Sequence, residues 1–163
     1  LEELVSLVTL ARDNTRSVGV ALSPGSIPAT GMPTFELDED SIGIGMGIHG
    51  EQGVGVEKMM TADALADKLV DLILADDLPV DSGDEVLVLI NSLGSTTMME
   101  CLIVLKRVKA ILTEKDIKIY DVLLGPLVTC QEMAGLSISF TKLDDTLKPL
   151  WDTECSSLGY TKL

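Results

Sequence analysis

The chain has 163 residues, 46% of them hydrophobic and 23% charged, with a formal net charge of −14 at pH 7. That length supports one domain with a proper core, burying roughly 70% of its unfolded surface. The charge argues against a phosphate backbone or an anionic membrane as partner, because both would be repelled. Aromatic residues make up only 3% of the chain, so the stacking platforms of single-strand binders are missing as well. A neutral ligand, or a partner with a basic face, fits better.

Cys101, Cys130 and Cys155 are odd in number and widely spaced, which points to neither a disulfide framework nor a zinc site and suits a reducing cytoplasm. No apolar run approaches the 18 or so residues of a membrane helix, and no basic-then-apolar signal segment opens the chain. The sequence begins at Leu1 inside a helical pattern, so a longer protein upstream is expected.

Leu1, Leu4, Val5, Val8 and Ala11 recur at helical spacing, with Glu2, Glu3, Arg12 and Asp13 off that face, so the chain opens on an amphipathic helix. A short apolar strand, Arg16–Leu22, follows. Ser23–Phe35 holds three prolines and two glycines and can carry no regular element for long. Such a loop is either a connector or the wall of a site.

Ser41–Val54, SIGIGMGIHGEQGV, is where the sequence concentrates its signal. Ile42, Ile44, Met46 and Ile48 alternate with Gly43, Gly45 and Gly47, the period of a strand with its large side chains on one face and the other nearly bare. His49, the only histidine of the chain, falls in phase with the glycines, so its imidazole is expected to stand first on an empty surface, with room beside it for a small ligand. Gly50 and Gly53 bracket Glu51 and Gln52 in a turn that a ligand can approach closely. A second reading stays open on these residues alone: the glycines admit a neighbouring element, and the histidine is hydrogen-bonded to a loop.

Thr61 is expected to cap a helix with Leu65, Leu69, Leu72 and Ile73 on one face. The acidic stretch Ala75–Glu85 reads as a solvated surface turn, and Val86–Ile90 as a strand covered on both faces. Asn91–Thr97 leads into a helix opened by the capping-box pair Thr97 and Glu100. A glycine turn before a helix can bind phosphate, although the lysine and spacing of a P-loop are absent. Cys101, Val104, Leu105, Val108, Ile111 and Leu112 form a buried stripe, with Met98 and Met99 as core filling. Ile117–Leu124 is a further strand, and Cys130 is read as structural rather than nucleophilic. Leu136, Ile138 and Phe140 alternate with Ser137, Ser139 and Thr141 in a strand with one wet face near a sheet edge. A short helix, Asp145–Trp151, and an irregular tail close the chain. The fold class is therefore α/β, a mixed β-sheet sandwiched by helices.

GIHGEQGV resembles the His-Gly-Glu-Pro-Gly stretch of the substrate-binding subunit of dihydroxyacetone kinases. RSVGVALSPGSIPATGMPTFEL before it, and VLINSLGSTTMMECLIV and LLGPLVTCQEMAGLSISFTKLDDTLKPLWD after it, resemble the same family in the same order, from about Ala11 to Asp152. Gln52 departs from the family's proline, which loosens the turn without removing a reactive group. The resemblance implies that residues 1–163 form a single α/β domain, the second domain of that subunit, and that the first domain, with the general acid/base histidine and aspartate, is absent from this sequence. It implies that His49 anchors dihydroxyacetone covalently, with Gly47 and Gly50 beside it in the substrate-binding set. A neutral imidazole has a lone pair able to add to a carbonyl carbon, giving a hemiaminal that selects a keto-alcohol over glycerol.

No cofactor is expected on this chain; the resemblance places ADP or ATP and magnesium on a partner subunit or domain. The implied partners are dihydroxyacetone, a nucleotide-binding kinase subunit and a second copy in a homodimer, in the cytoplasm, with no nucleic acid and no membrane. The ending soon after Trp151 is similar to the multi-subunit type served by the phosphotransferase system. A dihydroxyacetone-sensing co-regulator without kinase activity, and a structural domain with no ligand, are the other readings.

Overall fold

A computed structural model of the chain describes residues 1–48, Glu51 and 53–162. The elements run α1 (Glu2–Asp13), β1 (Thr15–Ser23), β2 (Ser41–Ile44), β3 (Gly55–Lys58), α2 (Ala62–Ala75), β4 (Glu85–Ser92), α3 (Met98–Glu114), β5 (Lys118–Gly125), β6 (Ala134–Leu143), α4 (Leu147–Trp151) and a small ribbon of β7 (Cys155–Ser156) and β8 (Thr161–Lys162). Six strands form one sheet in the order β3-β2-β1-β6-β4-β5. Only β4 and β5 pair in parallel, joined across α3; the other pairs are antiparallel. This is the mixed α/β architecture expected from the alternation of strands and helices.

Helices α2 and α3 form where the periodicity placed them. The Thr61 hydroxyl accepts the Ala64 N–H at 3.3 Å. Thr97 and Glu100 close a full capping box, in which the Glu100 carboxylate accepts the Thr97 N–H at 2.8 Å. Their apolar faces, Leu65, Leu69 and Ile73 from α2 and Cys101, Val104, Val108 and Leu112 from α3, meet Val86, Val88, Ile90, Ile138 and Phe140 in the main core. Burial of Cys101 is as expected and raises its thiol above the usual range, first through desolvation and then through the nearby Glu100 charge.

Three expectations fail, each for a physical reason. Met98 and Met99 are not core filling: they are 50% and 72% exposed, because they lie in the first turn of α3, ahead of its buried stripe, which starts at Cys101. The strand Leu136–Thr141 is not near an edge; β6 runs between β1 and β4 in the middle of the sheet. Its polar residues face a side of the sheet that α2 and α3 do not cover, where Ser139 accepts a 2.6 Å hydrogen bond from Ser17 and Thr141 pairs with Thr15 at 2.8 Å. On that same side Leu87 and Leu89 of β4 are only half-buried, so Val86–Ile90 alternates in burial despite its unbroken apolar sequence. The amphipathic helix α1 forms as expected and buries none of its residues, leaving Leu4, Val5 and Val8 exposed.

The glycine-alternating segment breaks earlier than its period suggests. β2 stops at Ile44, and Gly45 turns the backbone at φ 72°. That turn divides the large side chains between two cores. Ile42 and Ile44 enter the main core, whereas Met46 and Ile48 pack on a second, smaller one built on Ala21, Leu93 and Met133. Nor is the glycine face bare. The Met46 side chain folds back over Gly43, Val54 closes on Gly45, and the Glu51 carboxylate lies over Gly47.

Candidate functional site

The segment from Gly45 to Gly53 is a loop with a pinched neck. Gly45 N–H donates to the Gly19 carbonyl at 2.7 Å, and Val54 N–H donates to the Ile44 carbonyl at 2.7 Å. Only a residue without a side chain fits opposite, since a Cβ on Gly53 would run into the Ile44 carbonyl oxygen and stand 3.0 Å from the Met46 nitrogen. Within the neck, Gly47 N–H donates to the Glu51 carbonyl at 3.3 Å, and His49 falls between these two in sequence. His49, Gly50 and Gln52 themselves lie outside the described residues. Of the three predicted site residues the structure therefore describes only Gly47, whose missing side chain makes room for the Glu51 carboxylate.

A cavity of about 240 Å³ adjoins this loop. Gly47 and Ile48 form one wall; Ile27, Thr34 and Phe35 form a second, and the turn from Cys130 to Met133 the third. Ser23–Phe35 thus walls this cavity as well as connecting β1 to β2. It is held as an ordered loop by Ile27 N–H donating to the Met32 carbonyl at 2.8 Å and Thr34 N–H to the Gly25 carbonyl at 2.9 Å. Glu132 ties the second and third walls together, because its carboxylate accepts the Ser26 N–H at 2.9 Å and the Ser26 hydroxyl as well. The Ser26 hydroxyl bond is the main reason that the Glu132 carboxyl sits below the usual carboxylate range.

Two further buried polar residues, Asn91 and Thr96, hold backbone segments in place, and neither role was legible in the sequence. Asn91, at the end of β4 and 2% exposed, accepts the Leu127 and Val128 N–H groups at 2.9 and 2.8 Å and donates to the Val128 carbonyl at 2.7 Å. It fixes the course of the chain after β5. Thr96 accepts the Gly135 N–H at 2.8 Å. Nothing in the pattern NSLGST separates these structural roles from an ordinary turn.

The phosphate-binding alternative for Asn91–Thr97 finds no support. Leu93, Gly94, Ser95 and Thr97 spend their N–H groups on the Gly135 carbonyl, the Ser92 hydroxyl, the Met133 carbonyl and the Glu100 carboxylate. A carboxylate already occupies the helix N-terminus where an anion would bind. Among the described residues no cluster of histidine, cysteine or acidic side chains could hold a metal ion, and no helix is long and apolar enough to cross a membrane.

Fold and loop together define a mixed-sheet α/β domain that carries a glycine-built loop, with a histidine in its sequence, against a small partly polar cavity. The chain belongs to the Dak1 domain family, which matches residues 1–159. It is 41% identical over 147 residues to the dihydroxyacetone-binding subunit of a PTS-dependent dihydroxyacetone kinase of Listeria innocua, covering 90% of this chain and 44% of that one. It is 36% identical to a D-erythrulose kinase of Mycolicibacterium smegmatis, covering 99% of this chain and 28% of that one. Among solved structures, a dihydroxyacetone kinase operon co-activator superposes with a TM-score of 0.78 at 28% identity, over 90% of this chain and 45% of that one. The dihydroxyacetone kinase of C. freundii superposes with a TM-score of 0.74 at 28% identity, over 94% of this chain and 28% of that one. The chain thus spans less than half the length of these relatives, whose enzymes are kinases of short ketoses.

Proposed function

We propose that this chain is the ketone-capturing domain of a dihydroxyacetone kinase, with His49 as the capturing nucleophile and Gly47 and Gly50 flanking the bound substrate. The observation that carries this reading is the pinched loop 45–53, whose neck admits only glycine at 53 and whose sequence presents the sole histidine of a Dak1 domain. The unprotonated ring nitrogen of His49 adds to the carbonyl carbon. A C–N bond forms, the π pair moves to oxygen, oxygen gains a proton and the other ring nitrogen loses one, leaving a neutral hemiaminal. Glycerol has no carbonyl and escapes capture. The free terminal hydroxyl is then held for phosphoryl transfer, where positioning supplies much of the catalysis.

In this reading the acid/base groups, the nucleotide and its magnesium belong to polypeptide outside residues 1–163. The partners are a nucleotide-binding kinase subunit and a second copy of the chain, in the cytoplasm, and the phosphoryl donor is recharged by the phosphotransferase system. Residues 1–163 alone, even with a nucleotide-loaded partner, do not turn over dihydroxyacetone. The likeness to a co-activator structure supports a second reading, a sensor that uses the same capture without phosphoryl transfer.

Carbon-13 NMR of the complete protein with carbonyl-labelled dihydroxyacetone tests capture. The labelled carbon is expected to move from the ketone to the tetrahedral region, and His49→Ala to abolish the move while changing stability by only about 0.5 kcal/mol. A bound ketone that keeps its carbonyl resonance overturns the covalent step. Phosphorylation that persists in His49→Ala, with glycerol now accepted, marks the adduct as a selection device. Capture without any phosphorylation by the complete protein and its kinase partner favours the sensor.

A further inference from the structure

Met59, Met98, Met99, Leu102 and Ile103 are each between 44% and 72% exposed, and they adjoin one another. Met98 and Leu102, like Met99 and Ile103, are i, i+4 neighbours on the first two turns of α3. Ile103 and Met59 line one hollow of about 150 Å³ between the N-terminal ends of α2 and α3, together with Met60, Leu65 and Thr96. Further along α3 the outer face turns charged, with Lys106, Arg107 and Lys109. Apolar side chains standing singly on a surface are ordinary, but a contiguous patch with a polar border marks a site of protein association.

The border is mainly acidic. Met59 N–H donates to the Asp40 carbonyl at 2.7 Å, which sets the exposed Asp38, Glu39 and Asp40 beside the patch. Asp63, in the first turn of α2, follows Ala62 of the hollow's wall. Lys58 and Lys106 are the flanking cations in sequence. A second copy would bring the same border and a further net charge of −14, and like charges across an interface are costly. A partner with lysine and arginine around an apolar centre is attracted instead. Methionine is unbranched and adaptable, which suits a surface covered and uncovered in turn rather than one packed permanently.

Patch and cavity lie at the same end of the sheet. Thr96 lines the hollow and accepts the Gly135 N–H at 2.8 Å, while Met133, just before β6, lines the cavity beside Gly47 and Ile48. We propose that this methionine patch is the docking face for the nucleotide-binding kinase subunit, whose contact surface is an apolar centre ringed by lysine and arginine. The partner's identity rests on the kinase reading above, in which a phosphoryl donor reaches this end of the sheet and leaves it after each transfer. A protein that holds nucleotide phosphates gathers positive charge about them, the complement of the acidic border.

The experiment takes the complete protein with its kinase subunit loaded with ADP and magnesium. Hydrogen peroxide is expected to oxidise Met59, Met98 and Met99 in the complete protein alone, and about fivefold more slowly under saturating kinase subunit, with the buried Met133 slow in both. Met99→Lys changes the most exposed residue of the patch, outside the core, and sets a like charge against the partner. It is expected to raise Kd for the kinase subunit roughly tenfold by calorimetry, with Kd for dihydroxyacetone changed less than about twofold. Glu39→Lys is expected to slow association and flatten its salt dependence, with dissociation little changed. Unchanged subunit affinity in Met99→Lys overturns the docking face, while phosphorylation of dihydroxyacetone by the wild type then keeps the kinase reading intact. Methionines already protected before the subunit is added also overturn it, because a second copy or other polypeptide covers the patch. A wild type that binds the subunit through this patch but phosphorylates no ketose upholds the docking face and overturns the kinase reading.

Discussion

Gly53 and Gly47 stand on the same loop, yet a methyl group would meet different obstacles at the two. At Gly53 the obstacle is backbone, the Ile44 carbonyl that also accepts the Val54 N–H, so the neck must open. Gly53→Ala is expected to cost about 2–3 kcal/mol, at the upper end of ordinary point mutants, and to abolish ketone capture. At Gly47 the nearest atoms are the Glu51 carboxylate, the far end of a flexible side chain, with its Cδ at 2.7 Å. Gly47→Ala is expected to cost under about 1 kcal/mol and to act on the site by displacing that carboxylate. Urea denaturation of both variants checks the order, and a larger loss at Gly47 would contradict the neck described above. Gly43, Gly45, Gly47 and His49 could be picked out from the sequence because glycine at every second position is improbable in a strand. The left-handed backbone of Gln131 could not: a glutamine at φ 53° has no sequence signature, and only the contacts that Gly94 and Leu93 make with its turn reveal it.

The helices show that periodicity predicts an element more securely than it predicts what the element packs against. α1, α2 and α3 all carry an apolar stripe, but only α2 and α3 bury theirs. Stability should follow burial and capping, not the stripe. Thr97→Ala removes an acceptor for the Glu100 N–H and breaks the capping box, for an expected loss of about 1 kcal/mol. Leu4→Lys, on the exposed face of α1, is expected to change stability by at most about 0.5 kcal/mol. Thermal or urea unfolding of this chain distinguishes them, and a larger effect at Leu4 would mean that α1 is covered. The strand Ala134–Leu143 makes the same point for the sheet. Its alternation of Leu136, Ile138 and Phe140 with serine and threonine identifies a half-wet strand correctly, but wetness belongs to the face of the sheet and not to the position in it. β6 is central and still carries hydroxyls.

At the scale of the molecule, a net charge of −14 is carried by many carboxylates, several of which the fold holds in their ionised form. The Lys142 ammonium bonds to Asp84, the Thr97 hydroxyl to Glu100 and the Ser26 hydroxyl to Glu132, and each carboxyl lies below its ordinary range. A carboxyl with a depressed folded-state pKa contributes stability that is complete above its unfolded value, roughly 4, and is lost as pH falls through the folded value. Stability is therefore expected to be level near neutrality and to decline below about pH 4. Lys142→Ala, which removes the main cause of the Asp84 shift, should make that decline shallower; chemical denaturation across this range provides the check, and an unchanged slope would remove Asp84 from the account.

Sequence by itself determined the parts that depend on neighbours along the chain. Cap residues, helical stripes, the alternating strands and the glycine-histidine loop are local patterns, and each marks an element or motif because side-chain direction repeats with a fixed period. Tertiary structure alone decided which faces meet. Whether Met98 and Met99 are covered, whether β6 is central, and where the wall formed by Ser23–Phe35 stands depend on contacts between segments far apart in sequence, such as Ser26 with Glu132 and Thr15 with Thr141. The division of Ile42, Ile44, Met46 and Ile48 between two cores follows from one positive φ at Gly45. Glycine permits that angle without announcing it, so the same four residues read as one strand face until the rest of the chain is folded around them.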